Sequence, residues 1–251
     1  MTPFNSDSIS VRHLEKRFGN FVAVNKISFS VKKGEIFGFL GSNGSGKSTT
    51  IRMLCGIITP TSGSGTVAGH DIVTEAEDVK QSIGYMSQKF SLYEDLTPFE
   101  NLRFYLGVYN VPPPQWRERI DWVLNMTRLQ DARDRKTREL PPGWRQRLAL
   151  GCSLLHKPDI LFLDEPTSGV DPVTRRHFWS FIRKLAEGGM TVFVTTHYMD
   201  EARFCERIVM INEGLIVAAG TPADIIAGAC PGAAYADLTD AFIKIMKRDK
   251  A

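Results

Sequence analysis

The sequence lacks any apolar run near the roughly 18 to 20 residues that a membrane-spanning helix needs. Its longest runs, such as Leu215 to Ala219, are of strand length. No basic, apolar signal segment opens the chain, so the expectation is a protein that stays in the cytoplasm. Cysteine is scarce and scattered. Cys55, Cys152, Cys205 and Cys230 form no CxxC pair, which speaks against a disulfide framework or a zinc site and predicts four reduced thiols, mostly buried. Charge of one sign is missing too: 31 basic against 28 acidic side chains leave a formal net charge of +3. That is too little, and too dispersed, to argue for direct nucleic-acid binding. Internal repeats and low-complexity tracts are likewise absent.

What remains is a globular composition, and 251 residues suffice for one large α/β domain or a core with a smaller inserted subdomain. The first 36 residues read as strands, with apolar positions at Ile9, Val11, Leu14, Val22 to Val24 and Ile27 to Val31. After the turn Lys32-Lys33-Gly34, Glu35 to Leu40 is a compact apolar strand that runs into a glycine-rich segment. Ile51, Leu54 and Cys55 give Thr50 to Ile58 helical spacing. From about Phe90 to Lys157 the chain turns helix-rich, broken at Pro112-Pro113-Pro114, with helical spacing over Trp116 to Leu129. Ile160 to Leu163 and Thr191 to Val194 read as buried strands flanking a helical stretch, Arg175 to Glu187, which implies a parallel sheet with crossover helices.

Gly41-Ser42-Asn43-Gly44-Ser45-Gly46-Lys47-Ser48, followed by Thr49, fits G-x-x-x-x-G-K-[ST] between a strand and a helix. Glycines let successive backbone N–H groups turn toward phosphate oxygens, and the helix N-terminus favours the same anion. Lys47 is expected at the β- and γ-phosphates and the Ser48 hydroxyl on Mg²⁺. The strand Ile160 to Leu163 delivers Asp164, a second candidate Mg²⁺ ligand, to the sheet edge where open α/β folds bind ligands. Glu165 beside it is the candidate base for the attacking water.

At Asp164-Glu165-Pro166-Thr167-Ser168-Gly169-Val170-Asp171 the chain resembles ABC-type ATPases, and the resemblance covers nearly its whole length. It implies an α/β fold: a P-loop NTPase (RecA-like) parallel-sheet core, an N-terminal antiparallel β subdomain and an inserted α-helical subdomain. The expected division is 1–88 and 159–228 for the core with its β subdomain, about 89–158 for the helical subdomain and 229–251 for a C-terminal tail. The resemblance also implies ATP and Mg²⁺ as cofactors, Glu165 as the catalytic carboxylate and His197 as the switch histidine at the γ-phosphate. Gln88 resembles the glutamine that senses Mg²⁺ and the attacking water, and Phe18 the aromatic ring against adenine, with a buried core Phe as the rival reading. Ser168 to Asp171 resembles the loop that contacts an opposing ATPase domain. Phe90, Leu92, Tyr93, Leu96 and Phe99 fall where such domains seat a permease helix, although ordinary packing competes for them.

One motif departs from the family pattern. Where members usually carry Leu-Ser-Gly-Gly-Gln, this chain has Leu140-Pro141-Pro142-Gly143-Trp144. The two prolines remove a hydroxyl and two N–H donors that would face the γ-phosphate on an opposing subunit, while Gly143 keeps its N–H. The resemblance implies similar tips in a subgroup of bacterial exporters with tandem or paired ATPase domains. The expected partners are therefore an integral membrane permease and a second ABC ATPase domain, either a copy or a different one with an intact tip. The expected place is the cytoplasmic face of the inner membrane. A soluble ABC ATPase acting on ribosomes or DNA, or an ATP-binding regulator that hardly hydrolyses, remains the alternative.

Overall fold

The computed structural model describes residues 7–89, 91–233 and 235–248. Two sheets carry the α/β fold that the motifs imply. The strands β1 (Asp7–Phe18), β2 (Phe21–Lys32), β4 (Ser62–Val67) and β5 (His70–Asp71) form an antiparallel sheet in the order β2-β1-β4-β5. The central sheet has the order β10-β9-β3-β8-β7-β6, built from β3 (Ile36–Leu40), β6 (Ile83–Met86), β7 (Ile160–Asp164), β8 (Thr191–Thr196), β9 (Arg207–Asn212) and β10 (Leu215–Gly220). All its pairings are parallel except β9 with β10. Every residue of β3, β7 and β8 is buried, as expected of parallel strands covered on both faces.

Phe29 of β2 packs against Phe37, Phe39 and Phe193 of the central sheet with ring centroids 5.5–6.1 Å apart, joining the two sheets. Each fully buried ring of this kind is worth about 1.5–3 kcal/mol of transfer free energy. The helix α1 (Lys47–Leu54) lies in the same core, with Ile51, Met53 and Leu54 buried. It starts three residues before the apolar spacing and ends four residues before Ile58, because Gly56 takes φ +64° and closes the helix. A short helix, α2 (Ala76–Ser82), leads into β6.

The stretch from 98 to 154 holds α3 (Pro98–Val108), α4 (Trp116–Thr127) and α5 (Pro142–Leu154), with a core of its own that includes Leu102, Leu106, Val123, Leu124 and Leu148. Thr97 and Glu100 exchange side-chain and backbone bonds in a capping box that starts α3, with Pro98 at its first position. The spacing that ran to Leu129 stops at Thr127, since Arg128 adopts a left-handed conformation with φ 56°. In the core shared with Leu150 and Leu154 of α5, α6 (Pro172–Glu187) begins earlier than its apolar pattern. Asp171 accepts from Val173 N and Thr174 N at 3.0 Å each, and Pro172 fits the first turn.

After β10 come α7 (Pro222–Ala229) and α8 (Leu238–Arg248). The segment expected as a tail thus carries a helix whose Leu238 and Ala241 are buried in the main core. All four cysteines are buried thiols, as the composition predicted. No helix among the described residues is long and apolar enough to cross a membrane.

Candidate functional site

The loop after β3 wraps back on its own lysine. Lys47 Nζ donates to Gly41 O at 2.9 Å and Ser42 O at 3.0 Å, and it lies 3.1 Å from Glu165 Oε1. Gly46 precedes α1 at φ +109°, and a Cβ there would stand 2.6 Å from Ala23 O, so only glycine fits the turn. No acidic side chain occupies the first turn of α1 and no side chain caps it, so the N–H groups of Lys47, Ser48 and Thr49 keep their positive end for an anion. Ser45 Oγ is buried in this loop without a hydrogen-bond partner, while Ser42, Asn43 and Gly44 are exposed at its rim.

Opposite the loop, Ser48 Oγ donates to Asp164 Oδ1 at 3.1 Å, and Thr195 Oγ1 donates to the same oxygen at 2.8 Å. Burial raises the Asp164 carboxyl above its usual value, and these two hydroxyl bonds pull the other way. A hydroxyl and a carboxylate side by side form an all-oxygen donor set, the kind that suits Mg²⁺. These groups, the orphaned Ser45 hydroxyl and the uncapped helix end fit a phosphate chain with its cation.

Glu165 is the hub of the site. Its side chain is 7% exposed, and Oε2 receives Gln88 Nε2 at 3.3 Å and His197 Nδ1 at 3.0 Å. A carboxylate only accepts, so Nδ1 carries the proton. Glu165 also has φ 48°, a conformation that costs a residue with a Cβ on the order of 1–3 kcal/mol. Two contacts brace the surrounding loops. Thr167 Oγ1 donates to the fully buried Glu201 at 2.5 Å, and Gln146 Nε2 of α5 donates to Pro166 O at 2.5 Å.

Lys47, Ser48, Asp164, Glu165, Gln88 and His197, far apart in the chain, therefore share one cluster. Phe18 stands at the end of β1, 53% exposed, with Lys16 Nζ 5.2 Å above its ring; the core reading of Phe18 does not hold. In the expected groove, Tyr93 is exposed and meets Phe104 edge-on at 4.6 Å. Leu92 and Phe99 instead pack on the helical core, Leu96 is half-buried, and Phe90 lies outside the described residues. Two groups escaped the sequence reading. Thr195 binds both carboxylate residues, and the buried Asn101 bonds Tyr93 N, Tyr93 O, Thr97 O and Thr137 Oγ1, fixing the segment after Gln88. The signal for both was a polar residue inside an apolar pattern, which must find partners when buried.

At the departing motif, Pro141 caps α5 and Pro142 opens it, while Trp144 N and Arg145 N both donate to Pro141 O. Gly143 N has no acceptor among the described residues. Gly143 also has a packing reason to be glycine: a Cβ there would stand 2.6 Å from Thr174 Cγ2 on α6. A β-branched neighbour cannot swing aside cheaply, so Gly143→Ala is expected to cost about 1–3 kcal/mol of stability. Urea titration measures it, and adding Thr174→Ser should restore most of the loss.

The family model described as "ABC transporter" matches residues 24–168. The chain is 52% identical over 217 residues to the probable multidrug ABC transporter ATP-binding protein YbhF of Escherichia coli (strain K12), a match that covers 86% of this chain and 38% of that protein. It therefore spans well under half of that relative's length. It is 41% identical over 218 residues to the linearmycin resistance ATP-binding protein LnrL of Bacillus subtilis (strain 168), covering 86% of this chain and 70% of that one. The ATP-binding cassette MJ0796, solved as a dimer in a post-hydrolysis state with ADP and Pi, superposes with a TM-score of 0.77 at 27% identity over 85% of this chain and 98% of its own. With the glycine loop, the paired carboxylates and these matches in agreement, the chain belongs to the ABC transporter family, as one of its ATP-binding ATPase cassettes.

Proposed function

We propose that the protein binds ATP between its glycine loop and the Asp164–Glu165 pair and hydrolyses it to power export by a membrane permease, separate or fused, at the cytoplasmic face of the inner membrane. The observation that carries this reading is the convergence of Lys47, Gln88 and His197 on one buried carboxylate, Glu165. Lys47 would take the β- and γ-phosphates, trading its bonds to Gly41 O and Ser42 O for stronger charge-assisted ones. Ser48 and Asp164 would hold Mg²⁺, which when bound neutralises phosphate charge. Glu165 takes a proton from the attacking water, and Gln88, bonded to the same carboxylate, orients that water. His197 meets the γ-phosphate; with Nδ1–H committed to Glu165, only the imidazolium offers a second donor at Nε2. Phe18 offers an exposed ring for adenine stacking.

Two partners follow. The exposed ring pair Tyr93–Phe104 and Val108 of α3 form an apolar patch beside the Gln88 segment, suited to a short permease helix. The proline-bearing tip favours pairing with a different cassette that keeps the serine, so that this chain's own glycine loop, Glu165 and His197 make the competent site. Export, rather than import, is supported by the relatives named for multidrug transport and linearmycin resistance. Lys47→Ala tests the site itself. Loss of one charge-assisted contact of roughly 1.5–3 kcal/mol should raise the ATP Kd about 10- to 100-fold. Equilibrium titration with a fluorescent ATP analogue measures this, and wild-type affinity in the variant would count against the glycine loop as the phosphate site.

A further inference from the structure

Thr195 is fully buried near the end of β8, and its one hydroxyl serves both Asp164, the last residue of β7, and Glu165 just after it. Oγ1 accepts the Glu165 N–H at 3.0 Å and donates its proton to Asp164 Oδ1 at 2.8 Å. The second donor on that oxygen is Ser48, at 3.1 Å, and no hydrogen bond among the described residues reaches Asp164 Oδ2. The same Glu165 N–H also points at Thr195 O, 3.1 Å away, so the amide is shared between a side chain and a main-chain oxygen of one residue.

This arrangement bears on the left-handed conformation of Glu165. A residue with a Cβ holds φ 48° only where its surroundings over-determine it. Here the restraints are the Glu165 N–H held by Thr195 and the Glu165 carbonyl accepting from Ser168 N at 3.1 Å. The φ of Glu165 sets where its carboxylate stands among Lys47, Gln88 and His197. A valine at 195 has the same shape and keeps the ladder of β8 with β3 and β7, yet it drops the bond to Asp164 and half of the hold on Glu165.

We propose that Thr195 is a positioning residue for ATP hydrolysis: its single hydroxyl fixes the Asp164 carboxylate and the Glu165 backbone in one frame. The proposal rests on the hydrolytic reading of the Glu165 site. Because the residue acts through the two carboxylates and not on phosphate, its loss should separate turnover from nucleotide binding. Misplacing a reacting group by about 1 Å costs on the order of 10²-fold in rate.

The test compares wild type, Thr195→Val, Thr195→Ser and Glu165→Gln in the full chain. Thr195→Val should lower kcat about 10- to 100-fold, leave the affinity for a fluorescent ATP analogue without Mg²⁺ within about twofold, and speed amide hydrogen exchange at Glu165. Thr195→Ser, which keeps the hydroxyl, should return kcat and exchange close to wild type. Wild-type turnover in Thr195→Val overturns the proposal. So does equal impairment of Thr195→Val and Thr195→Ser, which would trace the effect to packing volume. Undiminished turnover in Glu165→Gln would instead remove the hydrolytic reading on which the proposal stands.

Discussion

Restoring the donors at the start of α5, by Pro141→Ser together with Pro142→Gly, is expected to raise the ATP-dependent self-association constant of this chain by about two to four decades. In the proposed ATP-bound pair, each tip faces the γ-phosphate held by the other subunit. Hydrogen bonds to a charged group are worth roughly 1.5–3 kcal/mol each, and two symmetric sites double the effect if the terms add. Pro141 and Pro142 offer no N–H, Trp144 N and Arg145 N are spent on Pro141 O, and Gly143 N is the remaining donor of the tip. The helix should survive the change, since α5 is held by Leu148, Leu150 and Leu154 in two cores and by the Gln146 bond to Pro166 O. Analytical ultracentrifugation with ATP, in a Glu165→Gln background that traps nucleotide, reads the shift. A tight ATP-dependent dimer from the unrestored chain would mean that Gly143 N and the helix end suffice without the serine.

Much of this site was legible in the sequence because its chemistry requires unusual local patterns. The glycine loop, the carboxylates after an apolar strand and the histidine after another each stand out against apolar runs. What stayed hidden has physical reasons. The first turn of α1 is Lys47-Ser48-Thr49, the functional residues themselves, so apolar spacing begins only at Ile51 and the helix looks shorter at its start than it is. β4 is Ser-Gly-Ser-Gly-Thr-Val, without strand-like alternation, and exists because β1 offers it a ladder from Ile9 to Glu15. α8 gains its order from Leu238 and Ala241 in a core built by distant strands. Thr195 is one more polar residue at a strand end, and its role rests on partners 30 and 31 positions away.

Glu165→Gln is the substitution with the largest expected loss of activity. An amide accepts no proton from water, and removing a positioned general base costs about 10²- to 10⁴-fold. The geometry adds a second penalty. Oε1 faces the Lys47 ammonium, while Oε2 receives both Gln88 Nε2 and His197 Nδ1–H. A glutamine side chain must turn its NH₂ toward one of these donor groups, so the cluster loosens whichever way it points. Nucleotide binding should not suffer, because Lys47 loses a competing anion and is freer for phosphate.

Phosphate release at saturating ATP and Mg²⁺, from the tip-restored chain with and without Glu165→Gln and with the ATP Kd of both measured alongside, decides whether Glu165 is the hydrolytic base. Glu165→Gln should lower turnover by at least about 100-fold at unchanged or tighter ATP binding. Equal turnover in the two proteins would contradict this and place the hydrolytic base elsewhere.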